Sequence, residues 1–77
     1  MARKFIGTIS HIQTDRTEIK QHEGREVYVY TYGLMLPAVI GNLRTSKVMH
    51  CKHNCGRLEI KTQNSTYTLE NVTEVFE

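Results

Sequence analysis

The sequence predicts a small, mostly β, single domain over residues 1–77: a partly open barrel of about five strands with at most one short helix. Three observations carry this. The chain has 77 residues, which fits one domain with a thin core, because so short a chain buries only about 60–65% of its unfolded surface. Its apolar residues fall in short β-branched or aromatic runs, several with period two, bounded by Gly, Pro and Asn. The links between these runs are short, which suits strands that close on one another.

Each element follows in turn. KFIGTISHIQ, Lys4 to Gln13, reads as a strand whose parity changes. Phe5 and Ile9 share one face, Ile6 and Ile12 the other, so a bulge near Gly7 or Ser10 is expected. TDRTEIKQHEGR, Thr14 to Arg25, is polar and ends on Gly24, as a loop or hairpin end does. EVYVYTYGLML, Glu26 to Leu36, is the strongest strand signal. Tyr28, Tyr30, Tyr32, Leu34 and Leu36 share one parity, and Val27, Val29, Thr31, Gly33 and Met35 the other. Pro37 breaks this run and is suited to start a short helix with Val39, Ile40 and Leu43 on one side. Arg44 to Cys51 reads as a further strand. RLEIKTQ, Arg57 to Gln63, alternates, with Leu58 and Ile60 on one face, and Asn64-Ser65 supplies a turn. Ser65 to Leu69 returns, Glu70-Asn71-Val72 forms a one-turn helical link, and Thr73 to Phe76 closes.

This ending resembles the last hairpin, single-turn helix and final strand of SH3-like and Sm-like barrels. The resemblance covers about the last twenty residues and is one of pattern. It implies an SH3-like or Sm-like barrel.

Composition narrows the function classes. A thin core leaves little room for an enclosed substrate pocket, which usually needs several hundred cubic ångströms, so the chain is not expected to be an enzyme. Ten Lys and Arg against eight Asp and Glu give a net charge of +2, too little by itself to mark a nucleic-acid binder. The distribution is uneven. Leu43 to Thr62 holds Arg44, Lys47, Lys52, Arg57 and Lys61 with Glu59 as its one acid, while the tail carries Glu70, Glu74 and Glu77. A mixed solvated surface is the ordinary explanation. No stretch approaches the roughly 18 apolar residues of a membrane span, and MARKFIGTIS has no sustained apolar region, so no secretory signal is expected. A cytoplasmic protein with reduced thiols follows, in which the Asn64-Ser65-Thr66 and Asn71-Val72-Thr73 triplets are chance.

MHCKHNCG, Met49 to Gly56, concentrates the soft ligands His50, Cys51, His53 and Cys55. Zinc needs four such donors at about 2.0–2.3 Å. An extended Cys51–Cys55 pair would span roughly 13 Å, so the segment has to turn before it can chelate. A second ligand pair is also needed, and only His11 and His22 remain. A redox pair wants two residues between its cysteines, and here there are three. The favoured reading is a hairpin loop at His53 to Gly56 with Cys51 as a small buried apolar residue. No cofactor is expected, and zinc stays open as an alternative.

Tyr28, Tyr30 and Tyr32 lie on one face of their strand. They are core filler or an exposed platform. Exposed tyrosines suit a protein interface. With Arg44, Lys47, Lys52, Arg57 and Lys61 they also suit stacking of RNA or single-stranded DNA, at about 1–3 kcal/mol per base. The expected function is therefore a non-catalytic regulatory or inhibitory module that binds a protein partner, with a small nucleic-acid-binding barrel as the alternative. A homo-oligomer remains open.

Overall fold

The computed structural model describes residues 2–76; Glu77 of the acidic tail lies outside them. The elements are β1 (Arg3–Gln13), α1 (Thr17–Lys20), β2 (Glu26–Thr31), β3 (Pro37–Ile40), β4 (Leu43–Asn54), β5 (Arg57–Thr62) and β6 (Thr66–Val75). The strands run as an antiparallel meander in sequence order, and β1 pairs with β6 to close the barrel. The mostly β class with one short helix stands, with six strands and full closure rather than five and partial closure. Among the described residues no helix is long and apolar enough to cross a membrane.

The additional strand is Pro37–Ile40, where a short helix was expected. Ala38 and Ile40 point inward while Pro37 and Val39 are half-buried, a two-residue period that a helix would not satisfy. Its Pro37 has no N–H to offer and sits at the first strand position, where none is needed. The helix lies instead at Thr17–Lys20, inside the polar loop, and buries Ile19. The expected helical link at residues 70–72 is also replaced. β6 runs through it unbroken, bent at Asn71, which takes a positive φ of 54°.

Closure depends on that bend. Ile6 pairs with Thr73 and Thr8 with Glu70, so Asn71 and Val72 together face Gly7. This is a bulge with its first residue left-handed, a conformation Asn tolerates better than most residues. Ser10 is a second extra residue, this time on β1: Ile9 pairs with Leu69 and His11 with Thr68. Its hydroxyl donates to the Thr68 carbonyl at 3.1 Å. The Ser10 bulge explains the parity change in KFIGTISHIQ. Phe5, Gly7 and Ile9 face inward, and after Ser10 the inward position moves to Ile12.

The core is Phe5, Ile9, Ile12, Ile19, Val29, Ala38, Ile40, Val48, Leu58, Ile60, Tyr67, Leu69 and Val72. Tyr67 is the bulkiest fully buried side chain, and burial pushes its hydroxyl pKa up against the opposing effect of a bond to Ser65. At the β3–β4 bulge Thr45 Oγ1 accepts the Ala38 N–H at 2.9 Å and donates to the Ser46 carbonyl at 2.7 Å. A side chain thus replaces a missing ladder bond. Ser46 Oγ beside it is buried without a partner.

Strand lengths are unequal, which leaves parts of several strands without a strand on one side, among them the second halves of β1 and β4. β1 pairs with β2 only as far as Thr8. Beyond it, Arg25 O accepts Ile9 N–H at 2.9 Å, Gly24 N–H donates back to Ile9 O at 2.7 Å, and the Glu23 carboxylate accepts Ile12 N–H at 2.7 Å. The α1 loop therefore covers that edge. β4 likewise outruns β3, and past Val48 it has β5 alone beside it.

A methyl group on Gly7 would lie 2.5 Å from Val72 Cγ2 and 3.1 Å from Val72 Cα. Gly7→Ala should lower stability by about 1–3 kcal/mol, read as a shift of the urea midpoint; an unchanged midpoint would refute the close crossing. Ser46→Ala removes an unpaired buried hydroxyl and should raise stability by about 1 kcal/mol in the same assay.

Candidate functional site

In β2 the residues Val29 and Thr31 are buried, so the tyrosines face outward. Tyr28 and Tyr32 are 48% and 43% exposed, and Tyr30 is half-buried. Neighbouring strands extend this surface. Tyr30 sits between Val39 of β3 and Lys4 of β1, and beyond them lie Arg44 of β4 and Val75 of β6. Residues directly opposite in a ladder project to the same side, so Arg44, Val39, Tyr30, Lys4 and Val75 form one cross-strand row. The Lys4 ammonium lies 4.7 Å from the Tyr28 ring centre and 5.5 Å from that of Tyr30, a cation–π arrangement that ties β1 to β2 on the outside.

The expected strand Glu26 to Leu36 ends at Thr31. Gly33 (φ 125°) and Met35 (φ 68°) turn the chain, and residues 32–36 form a loop. The Met35 N–H donates to Val48 O at 2.8 Å and Val48 N–H donates to Leu36 O at 3.1 Å, so the loop is pinned to β4. Its side chains nevertheless point out. Leu34, Met35 and Leu36 are 63%, 52% and 49% exposed, and Met49, next to the pinning Val48, is 46% exposed. A left-handed non-glycine residue is strained by about 1–2 kcal/mol. At Met35 that strain holds an apolar side chain in solvent, a combination that points to function rather than packing.

Beside the tyrosines, Tyr32, Leu36, Pro37, Val39 and Arg44 line a shallow groove of about 430 Å³. At the barrel mouth, Arg3, Thr31, Gly33, Leu34, Val48, His50 and Cys51 line a cavity of about 300 Å³. Arg3 grips Glu74 through two hydrogen bonds of 2.8 and 3.0 Å. That bond holds the Glu74 carboxyl below the usual carboxylate range.

The basic residues divide. Arg44 lies beside the tyrosines, and Lys47 stands opposite Pro37. Lys52, Arg57 and Lys61 lie around the barrel on the β4–β5 wall. There Lys52 is opposite Glu59, and Arg57 Nε is 3.4 Å from Glu70. Lys52, Asn54, Arg57 and Glu59 outline a polar groove of about 280 Å³. The strand order puts β2 and β5 on opposite sides of the closed barrel, so the tyrosines do not share a surface with Arg57 and Lys61, and Lys52 lies on β4 past the end of β3.

The His50 to Cys55 cluster divides too. β4 runs to Asn54, and Cys55 (φ 51°) and Gly56 (φ 76°) form a tight turn into β5, with the two positive φ angles that fit strand twist in a two-residue hairpin. The Val72 N–H donates to Gly56 O at 2.7 Å and anchors the tip. His50 and Cys55 are exposed, whereas Cys51 and His53 turn inward. The His53 ring meets Phe5 edge-on at 5.1 Å. Among the described residues no three His, Cys, Asp or Glu side chains converge as metal ligands, and both cysteines are free thiols. Burial pushes the Cys51 pKa up, with the Arg3 charge opposing it.

Lys4, Leu34, Met35, Leu36 and Met49 are not among the binding residues expected from the sequence, which places the three loop residues in a strand. Their signal is the apolar triplet Leu34-Met35-Leu36 bracketed by Gly33 and Pro37, which marks a loop as readily as a strand end. No protein family, curated protein or solved structure matches this chain, so the geometry carries the functional argument.

A raised pKa means less thiolate at a given pH. At pH 8 Ellman's reagent should modify exposed Cys55 quickly and Cys51 at least tenfold more slowly, with Cys51→Ser removing the slow phase. Equal rates would contradict the placement of Cys51.

Proposed function

We propose that this protein is a non-catalytic regulatory or inhibitory module that binds a protein partner through the band formed by Tyr28, Tyr32, the loop 33–36 and Met49. The observation that carries the reading is the exposed apolar loop held out by a left-handed Met35. Exposed apolar area of this kind, rimmed by polar residues, is typical of protein interaction sites, and Tyr and Met are enriched in them. The cations Lys4, Arg44 and Lys47 at its margin would orient the encounter. Binding would act by covering or bridging a surface of the partner. The reading places the protein in the cytoplasm, with its cysteines reduced.

Protein is preferred over nucleic acid as the partner for two reasons. Lys4 occupies ring faces on which bases would stack. Of the five bases expected to track phosphates, Arg44 and Lys47 alone stand on the tyrosine side.

The test is capture of a partner from cells that make the protein, followed by affinity measurement with purified components. Met35→Asn and Leu36→Gln should each weaken binding at least tenfold. Met35→Asn should leave stability unchanged or raise it, because Asn tolerates the left-handed conformation. Binding should persist at 0.5 M salt. Wild-type affinity in both variants would sink the reading; tight, steeply salt-dependent binding to single-stranded DNA or RNA would replace it with the nucleic-acid one.

A further inference from the structure

We propose that the distal half of β4 is an open strand edge that captures an extended segment of the partner protein, alternating acidic and aliphatic residues, as an added strand. The inference rests on the protein-binding reading above and names the chemistry of what is bound.

The edge follows from the register. Asn54 and Arg57 flank the tight turn, so they exchange both hydrogen bonds, and so do the alternate pairs Lys52–Glu59 and His50–Lys61. Cys51 and His53 therefore direct their backbone N–H and C=O groups away from β5. Val48 points the same way and is already bonded to Leu36 and Met35. Beyond it no strand lies on that side among the described residues. The contrast with β1 is informative. There the equivalent unpaired half is closed by the α1 loop and the Glu23 carboxylate, whereas β4 has no such cover. Sheet edges left bare in this way are templates for strand addition.

The surroundings specify the occupant. Side chains of an extended segment alternate between two faces. On one face lies the mouth cavity of about 300 Å³, with Leu34, Val48, Thr31 and Cys51 in its lining; it suits an aliphatic side chain. On the other face stands exposed Lys52, which suits a carboxylate, and His50 reaches the cavity rim. The whole of β4, LRTSKVMHCKHN, carries Arg44, Lys47 and Lys52 and no acid. Pairing two copies edge to edge would align like charges, which is unfavourable, so a second copy of this chain is disfavoured against an acidic partner.

Amide hydrogen exchange tests the edge directly. In the free protein the Cys51 and His53 amides should exchange at least tenfold faster than those of His50 and Lys52. Heptapeptides selected from a phage-displayed random library on the wild-type protein should alternate Asp or Glu with Val, Ile or Leu, and should slow exchange at Cys51 and His53. Their affinity should fall at least tenfold in Lys52→Glu, whose fold is verified by circular dichroism because the new carboxylate faces Glu59. It should also fall in His53→Pro, which removes an edge donor without breaking a bond to β5; retained circular dichroism verifies its fold.

Protection of Cys51 and His53 in the free protein would overturn the proposal, as would protection that grows with protein concentration, since a second copy would then occupy the edge. Selected peptides without the acidic–aliphatic alternation would overturn it as well. A captured partner lost by Met35→Asn but retained by both edge variants would leave the protein-binding reading standing and eliminate the strand edge. A partner retained by all of these variants would eliminate both.

Discussion

The barrel depends on the close passage of β6 over Gly7. Six short strands cannot bury a core as a flat sheet; they need the first strand to meet the last. Here β1 reaches β6 by letting the Asn71–Val72 bulge settle onto a residue with no side chain. Val72 then drops into the core alongside Phe5 and Ile9, and its N–H donates to Gly56 O, which tethers the β4–β5 turn. The same residue pair thus closes the cylinder, fills it and fixes the hairpin that projects from it.

Closure on these terms forces the strands to differ in length, and the differences organise the surface. β3 spans Pro37–Ile40 whereas β4 spans Leu43–Asn54. A short strand beside a long one exposes backbone unless something else covers it. Along β1 the α1 loop supplies that cover. Along β4 the loop 33–36 covers Val48 and then stops. The exposed apolar loop, the mouth cavity and the bare edge are therefore neighbours for one reason: β2 and β3 end before β4 does.

Electrostatics complements this arrangement. Arg3 and Glu74 close on each other at the mouth, which leaves the β4 cations as the unsatisfied charge nearby. On the far wall Arg57 lies 3.4 Å from Glu70, so that base has a weaker field. Position relative to acids on adjoining strands, rather than the count of Lys and Arg, decides which side of the barrel attracts an acidic partner.

The sequence by itself determined the β class, a parity change within Lys4 to Gln13, the alternation within Arg57 to Gln63 and a hairpin turn within His53 to Gly56, which the structure narrows to Cys55–Gly56. These are local: side-chain period and turn chemistry need no knowledge of distant residues. It did not determine which face of EVYVYT is inside, because Val27, Val29 and Thr31 on one face and Tyr28 and Tyr30 on the other are both apolar enough to be buried. Pairing with β3 and with β1, the latter remote along the chain, decided that. Nor did local pattern place PAVI as a strand, since four residues satisfy a helical start or an extended one equally until Val29 and Tyr30 offer a ladder. The separation of the tyrosines from Arg57 and Lys61 likewise arises from strand order around a closed cylinder. Closure is a non-local constraint, and a one-dimensional pattern does not record which walls of a barrel end up back to back.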